Sequence, residues 1–190
     1  MIQEIIKGIN LNIKEKGLFQ DIFELTEQVT QILPYQGDNV SQTFPAVYKK
    51  GGELISVFNP DKNRSICWHR STGNVTISNS EDSVSGCGKT FIYLYQLAVI
   101  GIALRNKMCD DSYTDYSVAN NLVASLKKIK VAGFTSVDVF PNTIITDKNQ
   151  VFSDNFTNIE MPVGFEYSLV QVNYNVSIEV NQKCIETYCK

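Results

Sequence analysis

The residues best suited to chemistry are Gly88, Lys89 and Thr90, which match the last three positions of a phosphate-binding P-loop. A P-loop also requires a glycine where this chain has Ser83, because the loop must bend tightly to aim backbone N–H groups at a phosphate. It should then open a helix, whereas residues 91–100 are aromatic and branched, which favours a strand. The segment therefore predicts a hairpin loop, with a degenerate nucleotide site as the alternative.

A second candidate for chemistry is the pair Cys67 and His69, of which His69 is the chain's single histidine. Two residues apart on a strand, their side chains share a face, as a nucleophile and its base would need to. No glycine-rich elbow and no recognisable third partner accompany them. The residues favour a strand with Trp68 packed inward and His69 at the surface, and we expect no catalytic residue, although a Cys–His pair remains open.

Metal and cofactor sites are not expected from the spacing of possible ligands. Cysteine and histidine do not occur in the short pairs typical of structural zinc sites. The adjacent acids at 81–82 and 110–111 lie in predicted turns, where they would be solvated tips or helix caps. Asp138 is the one weak candidate for the acidic metal ligand that a nucleotide-binding enzyme would need.

Composition restricts the class of protein. The chain has 190 residues, long enough for one core, and we expect a single α+β domain over 1–190 with an extended C-terminal tail at about 181–190. Its net charge is −3 with scattered Lys and Arg, which argues against a sequence-reading DNA binder but allows DNA to slide past. Five cysteines, no signal peptide and no apolar run of membrane-spanning length indicate free thiols in a reducing compartment.

The first half of the chain predicts one helix followed by short strands. Isoleucines at helical spacing favour a helix over residues 2–16, with Gly17 as its stop. Residues 18–25 could form a helical turn or a strand, and Pro34 marks a loop. Strands are predicted at 44–48 and 54–58, paired as a hairpin, and at 65–70 and 74–78.

The second half predicts two long strands around one helix. Residues 90–105 form the longest strand, apolar on both faces, so that both faces should be covered. A helix is predicted near 114–130, capped by Thr114 or Ser112, with Val118, Leu122, Leu126 and Ile129 as its buried stripe. Strands at 135–140 and 143–146 flank Pro141, residues 147–163 are predicted to be irregular, and residues 165–180 alternate as a closing strand.

These elements predict an α+β fold: a small mixed or antiparallel sheet sandwich with an N-terminal helix and one central helix packed on the sheet. The apolar faces of the long strand and the closing strand exceed what one helix covers, which favours packing between subunits. Function would then come from shape and assembly.

The layout resembles that of tail-terminator and neck proteins of tailed bacteriophages. The resemblance rests on residues 44–48, 90–105, 116–129 and 165–180, and the polar style of the sequence is also similar to connector ring proteins of crAss-like phages. It covers about residues 1–180 as a similarity of layout. The chain departs by extra length, mainly in residues 59–90 and 147–163, which puts the level in the neck in doubt.

The resemblance implies a tail-terminator-like fold and a structural virion protein that is not an enzyme. It implies a homo-oligomeric ring of six or twelve copies in the head–tail connector, assembled in the host cytoplasm. Its partners would be other neck, portal or tail proteins, with double-stranded DNA passing through the lumen without sequence-specific binding. A nucleotide-binding enzyme and a monomeric adaptor protein remain the alternatives.

Contact with the lumen or with the next ring is expected from the polar loop around residues 79–89 and from the C-terminal tail. Two glycines and several small polar residues make that loop a hairpin tip, which a partner could order. An idle surface loop is the alternative. The candidate interface residues are Glu81, Asp82, Ser83, Val84, Ser85, Lys89, Cys184 and Tyr188.

Overall fold

A computed structural model describes residues 1–35, 38–48, 53–57, 64–80, 90–104, 114–126, 129, 134, 136–159 and 166–181. Within these residues the protein is a mixed α+β structure with three helices and an eight-stranded sheet. The elements in chain order are α1 (Ile2–Glu15), β1 (Asp21–Tyr35), β2 (Asp38–Tyr48), β3 (Leu54–Ser56), β4 (Ile66–Ser71), β5 (Thr76–Ser80), β6 (Thr90–Leu104), α2 (Asp115–Ser125), β7 (Ser136–Ile145), α3 (Lys148–Asn155) and β8 (Tyr167–Asn181). The predicted α+β class is confirmed.

The sheet has the strand order β3-β2-β1-β4-β6-β8-β7, and β5 also pairs with β6. All of these pairs are antiparallel except β1–β4, which is parallel. Strands β6 and β8 pair over fifteen residues, from Thr90 opposite Asn181 to Leu104 opposite Tyr167. Strands β4, β5 and β7 pair directly with this central ladder, and β1, β2 and β3 join the sheet through β4.

Helix α1 forms where the isoleucine spacing predicts it. Its buried side chains are Ile5, Ile6, Ile9 and Ile13, which face the sheet at helical spacing. Gly17 follows the helix with a φ of 68°, a left-handed conformation that a side chain would disfavour, and its N–H donates to the carbonyl of Lys14. The predicted stop is confirmed.

Strand β1 is longer than the sequence suggested. Residues 18–25 left helix and strand open, and the structure continues one strand from Asp21 to Tyr35, with Pro34 inside it rather than in a loop. A bulge between Ile22 and Leu25 shifts the register, which hides the simple alternation by which strands are predicted. The predicted antiparallel pairing of the next two strands is confirmed as β2–β3.

The two faces of β6 lie in two separate apolar clusters. Leu97, Val99 and Ala103 pack on one side with α1 and α2, while Ala98, Ile100 and Ile102 pack on the other. That second side is covered by residues of α3 and β2, including Val151, Phe156 and Phe44. The prediction that both faces are covered is therefore confirmed for residues 97–104, where the covering comes from the same chain, but not for residues 90–96, which are half-buried or exposed.

Helix α2 was predicted from the sequence pattern, whereas α3 was not. Thr114 caps α2 by accepting a hydrogen bond from the N–H of Ser117, and Val118, Leu122 and Leu126 are buried as predicted. The prediction that residues 147–163 are irregular is wrong for α3. Its N-terminus is held by the Asp147 carboxylate, which accepts from two backbone N–H groups.

Strand β7 also differs from its predicted form. The two predicted strands on either side of Pro141 are one strand, β7, with a register shift between Pro141 and Thr143. Strands β4 and β5 follow each other along the same edge of β6: Ser71 lies opposite Leu97, and Thr76 lies opposite Leu94. Residues 72–75 connect the two strands and lie opposite only residues 95 and 96 of β6. Within this connection the N–H of Thr72 donates to the carbonyl of Gln96.

Candidate functional site

All eight candidate interface residues, from Glu81 to Tyr188, lie outside the described residues. Of the P-loop-like segment, Thr90 alone is described, and it is the first residue of β6. The strand predicted after Lys89 is therefore confirmed. Strands β5 and β6, which this segment joins, are antiparallel, as in the predicted hairpin. A P-loop would be followed by a helix.

His69 lies in the core beneath α1, and the prediction that it lies at the surface is wrong. Both His69 and its neighbour Trp68 are fully buried, on opposite sides of β4. His69 faces the α1 side because its register partner on β6 is Val99, a member of the cluster under α1 and α2. Cys67 lies on the same side, so the two residues share a face as the spacing predicted.

A chain of hydrogen bonds determines the protonation state of His69. Its Nε2 lies 2.9 Å from Oδ1 of Asn10, while Nδ2 of Asn10 donates to the carbonyl of Phe23 at 3.2 Å. Because Oδ1 can only accept, Nε2 must carry the proton. Nδ1 then accepts from the hydroxyl of Tyr174 at 2.8 Å. Every polar atom of the imidazole is satisfied in the neutral form.

Burial also keeps the imidazole neutral. Removal from water lowers the pKa of His69 to about 3 and raises the pKa of Tyr174 well above its usual value. A general base for catalysis near neutral pH should have a pKa close to that pH and reach its substrate. His69 meets neither condition, so this network joins α1, β1, β4 and β8 rather than presenting a reactive group.

The Cys67 thiol is equally unsuited to nucleophilic chemistry. It is fully buried, and burial raises its pKa above the ordinary range for a cysteine. Nucleophilic cysteines are partly exposed and have a lowered pKa. The Cys–His alternative therefore lacks both an accessible nucleophile and an accessible base.

Acidic and metal-binding groups were also candidates. Within the described parts of the chain, no three residues of His, Cys, Asp or Glu come together as metal ligands. Asp138 is exposed on β7, a strand paired on one side with β8, and does not follow a buried strand as the acidic ligand of a nucleotide site would. The acid pairs at 81–82 and 110–111 lie outside the described residues.

A polar surface that the sequence analysis did not identify lies on one side of the sheet. Four antiparallel strand segments form what we call the half-sheet: β5, residues 90–96, residues 175–181 and residues 136–140. On β8 the even-numbered side chains from 172 to 180 are buried and the odd-numbered ones are half-buried, so one face points into the core and the other toward solvent.

The solvent side of the half-sheet, here called the polar face, carries mostly uncharged polar and acidic side chains, together with the apolar Ile92, Leu94 and Phe140. Register places twelve described residues on it: Thr76, Ser78, Thr90, Ile92, Leu94, Gln96, Ser136, Asp138, Phe140, Asn175, Ser177 and Glu179. Asp138 and Glu179 are its charged members, and Lys and Arg are absent from these twelve positions. The hydroxyl of Ser136 donates to the carboxylate of Glu179 at 3.2 Å. The alternation of residues 165–180 contained this signal, but its polar half was not interpreted as a surface.

No protein-family model matches the sequence, and no curated protein is significantly similar to it. Across the described residues, none of the helices is long and apolar enough to cross a membrane.

Proposed function

We propose that this protein is a structural component of a tailed-phage neck, a homo-oligomeric ring that joins portal-side and tail-side proteins around the DNA channel. The observation that carries the proposal is the chemistry of the polar face. Proteins that hold DNA neutralise its phosphates with Lys and Arg, and the polar face presents carboxylates and neutral groups instead. Such a wall weakly repels phosphate, which lets duplex DNA move past it.

The buried state of the reactive residues supports a structural role over an enzymatic one. Cys67 and His69 are enclosed in the core, and the Gly-Lys-Thr sequence leads into a strand. A nucleotide-binding enzyme with a degenerate P-loop at 83–90 would need its phosphate-binding backbone at a helix N-terminus. The virion would be the site of the mature protein, after assembly in the host cytoplasm.

A monomeric adaptor is the second candidate, and one observation favours it. Helices α1 and α2 cover one side of β6, while α3 and β2 cover the other. The two apolar faces of the long strand, which the sequence analysis expected to require neighbouring subunits, are thus covered by the chain itself in the second half of β6. Assembly must therefore use other surfaces than these faces.

The first experiment measures the mass of the purified protein by light scattering and images it by electron microscopy. We expect closed rings of six or twelve copies with an opening wide enough for duplex DNA. A protein that stays monomeric over the full accessible concentration range would refute the ring and leave the adaptor.

The second experiment tests the polar face itself. The double variant Asn175→Lys/Ser177→Lys should acquire salt-dependent binding to duplex DNA, because each phosphate contact adds about one unit to the salt slope. The control is Leu11→Lys/Tyr116→Lys, which adds the same charge at two exposed helical positions. If the control gained as much DNA binding as the test variant, the polar face would not be the surface that meets DNA.

A further inference from the structure

The two outer strands of the half-sheet are β5 and β7. Among the described residues β5 pairs with β6 alone, and β7 pairs with β8 alone. Within the described ranges each of these two strands therefore has one row of backbone N–H and C=O groups without a strand partner. Such edges are templates for pairing with another strand.

The direction of the strands makes the two edges complementary. Each of the three pairs β5–β6, β6–β8 and β8–β7 is antiparallel, so β5 and β7 run in opposite directions. A second copy placed with its β7 beside β5 therefore continues the antiparallel order without a change of sense. The contact is head-to-tail, and repeating it generates a ring if the rotation closes.

The side chains at the two edges also match. Ile77 is 58% exposed on the core side of β5, where its register partner Tyr93 packs against the core cluster. On β7 the half-buried Val137 and Val139 lie on that same side of the sheet. Strand β5 carries no charge and no proline, the usual devices that block an edge.

The length of the matching edge is also defined. Five residues of β7, from Ser136 to Phe140, precede Pro141, which has no N–H to donate and adjoins the bulge. Strand β5 likewise has five residues. Aligned over their full length in antiparallel sense, they place Ile77 beside Val139. A one-residue slip would set apolar side chains against the polar face.

We infer that β5 of one copy pairs with residues 136–140 of β7 in the next copy, so that the partner at both edges is a second copy of this chain. This interface rests on the proposed ring and names how its subunits join. Four strands per copy then form a continuous wall with the polar face on one side. Pairing of two β5 strands with each other would instead give a closed dimer and leave the β7 edge with its two valines open.

Cysteine cross-linking tests this interface in the assembled protein. The background carries serine at Cys87, Cys109, Cys184 and Cys189, and buried Cys67 is kept. Ile77→Cys and Val139→Cys are made separately and mixed under mild oxidation. We expect a cross-linked species of two chains in the mixture and none from either variant alone. A chain carrying both substitutions should give a ladder that ends at the ring's copy number.

A second variant keeps the test independent of cross-linking geometry. Ile77→Lys should raise the protein concentration needed for half-assembly at least tenfold, while the circular dichroism spectrum of the unassembled protein stays unchanged because the side chain is exposed. Leu11→Lys, an equally exposed apolar residue on α1, should assemble like the wild type. Ile77→Cys dimers formed alone would overturn the inference in favour of a two-fold contact.

The results of these experiments distinguish failure of this interface from failure of the proposed function. If the wild type forms rings, but Ile77→Lys assembles equally well and the mixture of Ile77→Cys with Val139→Cys gives no cross-link, this interface is wrong and the ring stands. Absence of any wild-type oligomer would overturn the proposed function itself, and this interface with it.

Discussion

Replacing His69 by glutamine should make the stability of the protein less sensitive to acid. In the wild type, neutral His69 donates to Asn10 and accepts from Tyr174, and its side chain is fully buried, which disfavours a charge. The glutamine amide offers an NH2 group that can donate to Asn10 and an oxygen that can accept from Tyr174, but it cannot be protonated in this range. The variant therefore keeps the hydrogen-bond chain and removes its titration.

The sign and size of the effect follow from the pKa of His69. The pKa falls from 6.5 in the unfolded chain to about 3 in the folded protein, so the unfolded state binds the proton first as the pH drops. The contribution is complete above pH 6.5 and declines as the pH falls toward 3. Each pKa unit corresponds to 1.36 kcal/mol, so wild type loses about 2 kcal/mol from this residue between pH 7 and pH 5.

The assay is urea denaturation at several pH values between 7 and 5, followed by circular dichroism. Carboxylates titrate in both proteins, so the difference between wild type and His69→Gln isolates the histidine. We expect the free energies of unfolding to converge as the pH falls. His69→Ala serves as a contrast, because it leaves buried atoms of Asn10 and Tyr174 unpaired at about 1–3 kcal/mol each at every pH.

Parallel pH curves for wild type and His69→Gln would refute the argument. Parallel curves would mean that His69 has the same pKa in the folded and unfolded states. We expect a lower pKa in the folded state, because the imidazole is fully buried between two neutral partners.

Three other substitutions test separate parts of the structure. Gly101→Ala should destabilise the protein by about 1–3 kcal/mol in urea denaturation, because its new methyl group would lie 2.6 Å from the ring of buried Phe19. Gly73→Ala is the control and should cost far less, since its methyl group would meet the movable end of the exposed Gln96 side chain. Thr114→Ala should cost about 1 kcal/mol by removing the cap of α2, and Thr114→Ser should restore it; equal stability of all three proteins would contradict the capping bond. Calorimetric titration with Mg-ATP should give no binding to wild type or Lys89→Ala, and micromolar affinity lost in the variant would contradict the hairpin interpretation.

Long elements with one dominant period could be predicted from the sequence. Helix α1 repeats isoleucine at helical spacing, and β8 alternates buried and half-buried side chains from residue 172 to residue 180. Strand β6 was recognised by its apolar faces. In α1 and β8 burial on one side produces the periodic pattern, and in β6 burial on both sides of residues 97–104 produces the continuous apolar run.

Short or interrupted elements could not be predicted in the same way. Helix α3 has eight mostly polar residues and buries Val151 and Asn155, too few for a periodic signal. Strand β1 contains a bulge that changes which residues face the core. In both cases contacts with distant segments, rather than local pattern, determine the structure.

The hydrogen-bond network around His69 could not be predicted from the sequence either. Asn10, His69 and Tyr174 are separated by 59 and 105 residues, and no spacing rule connects them. His69 was expected at the surface because alternation around buried Trp68 places its neighbour outward. That reasoning holds for a sheet with one covered face, whereas β4 is covered on both sides.

Covering of both faces also determines where a partner can bind. In the second half of β6 a neighbouring subunit would gain no new apolar burial, because helices and strands of the same chain already fill that space. In the half-sheet one face is polar, and the apolar side chains at its margins, such as Ile77, are open to solvent. Pairing along the edges satisfies backbone groups and buries those margins together, at about 25 cal/mol per Å² of apolar surface. In the proposed ring the strand edges would supply this stabilisation, so we expect charge at Ile77 to weaken association and charge at Leu11 to leave it unchanged.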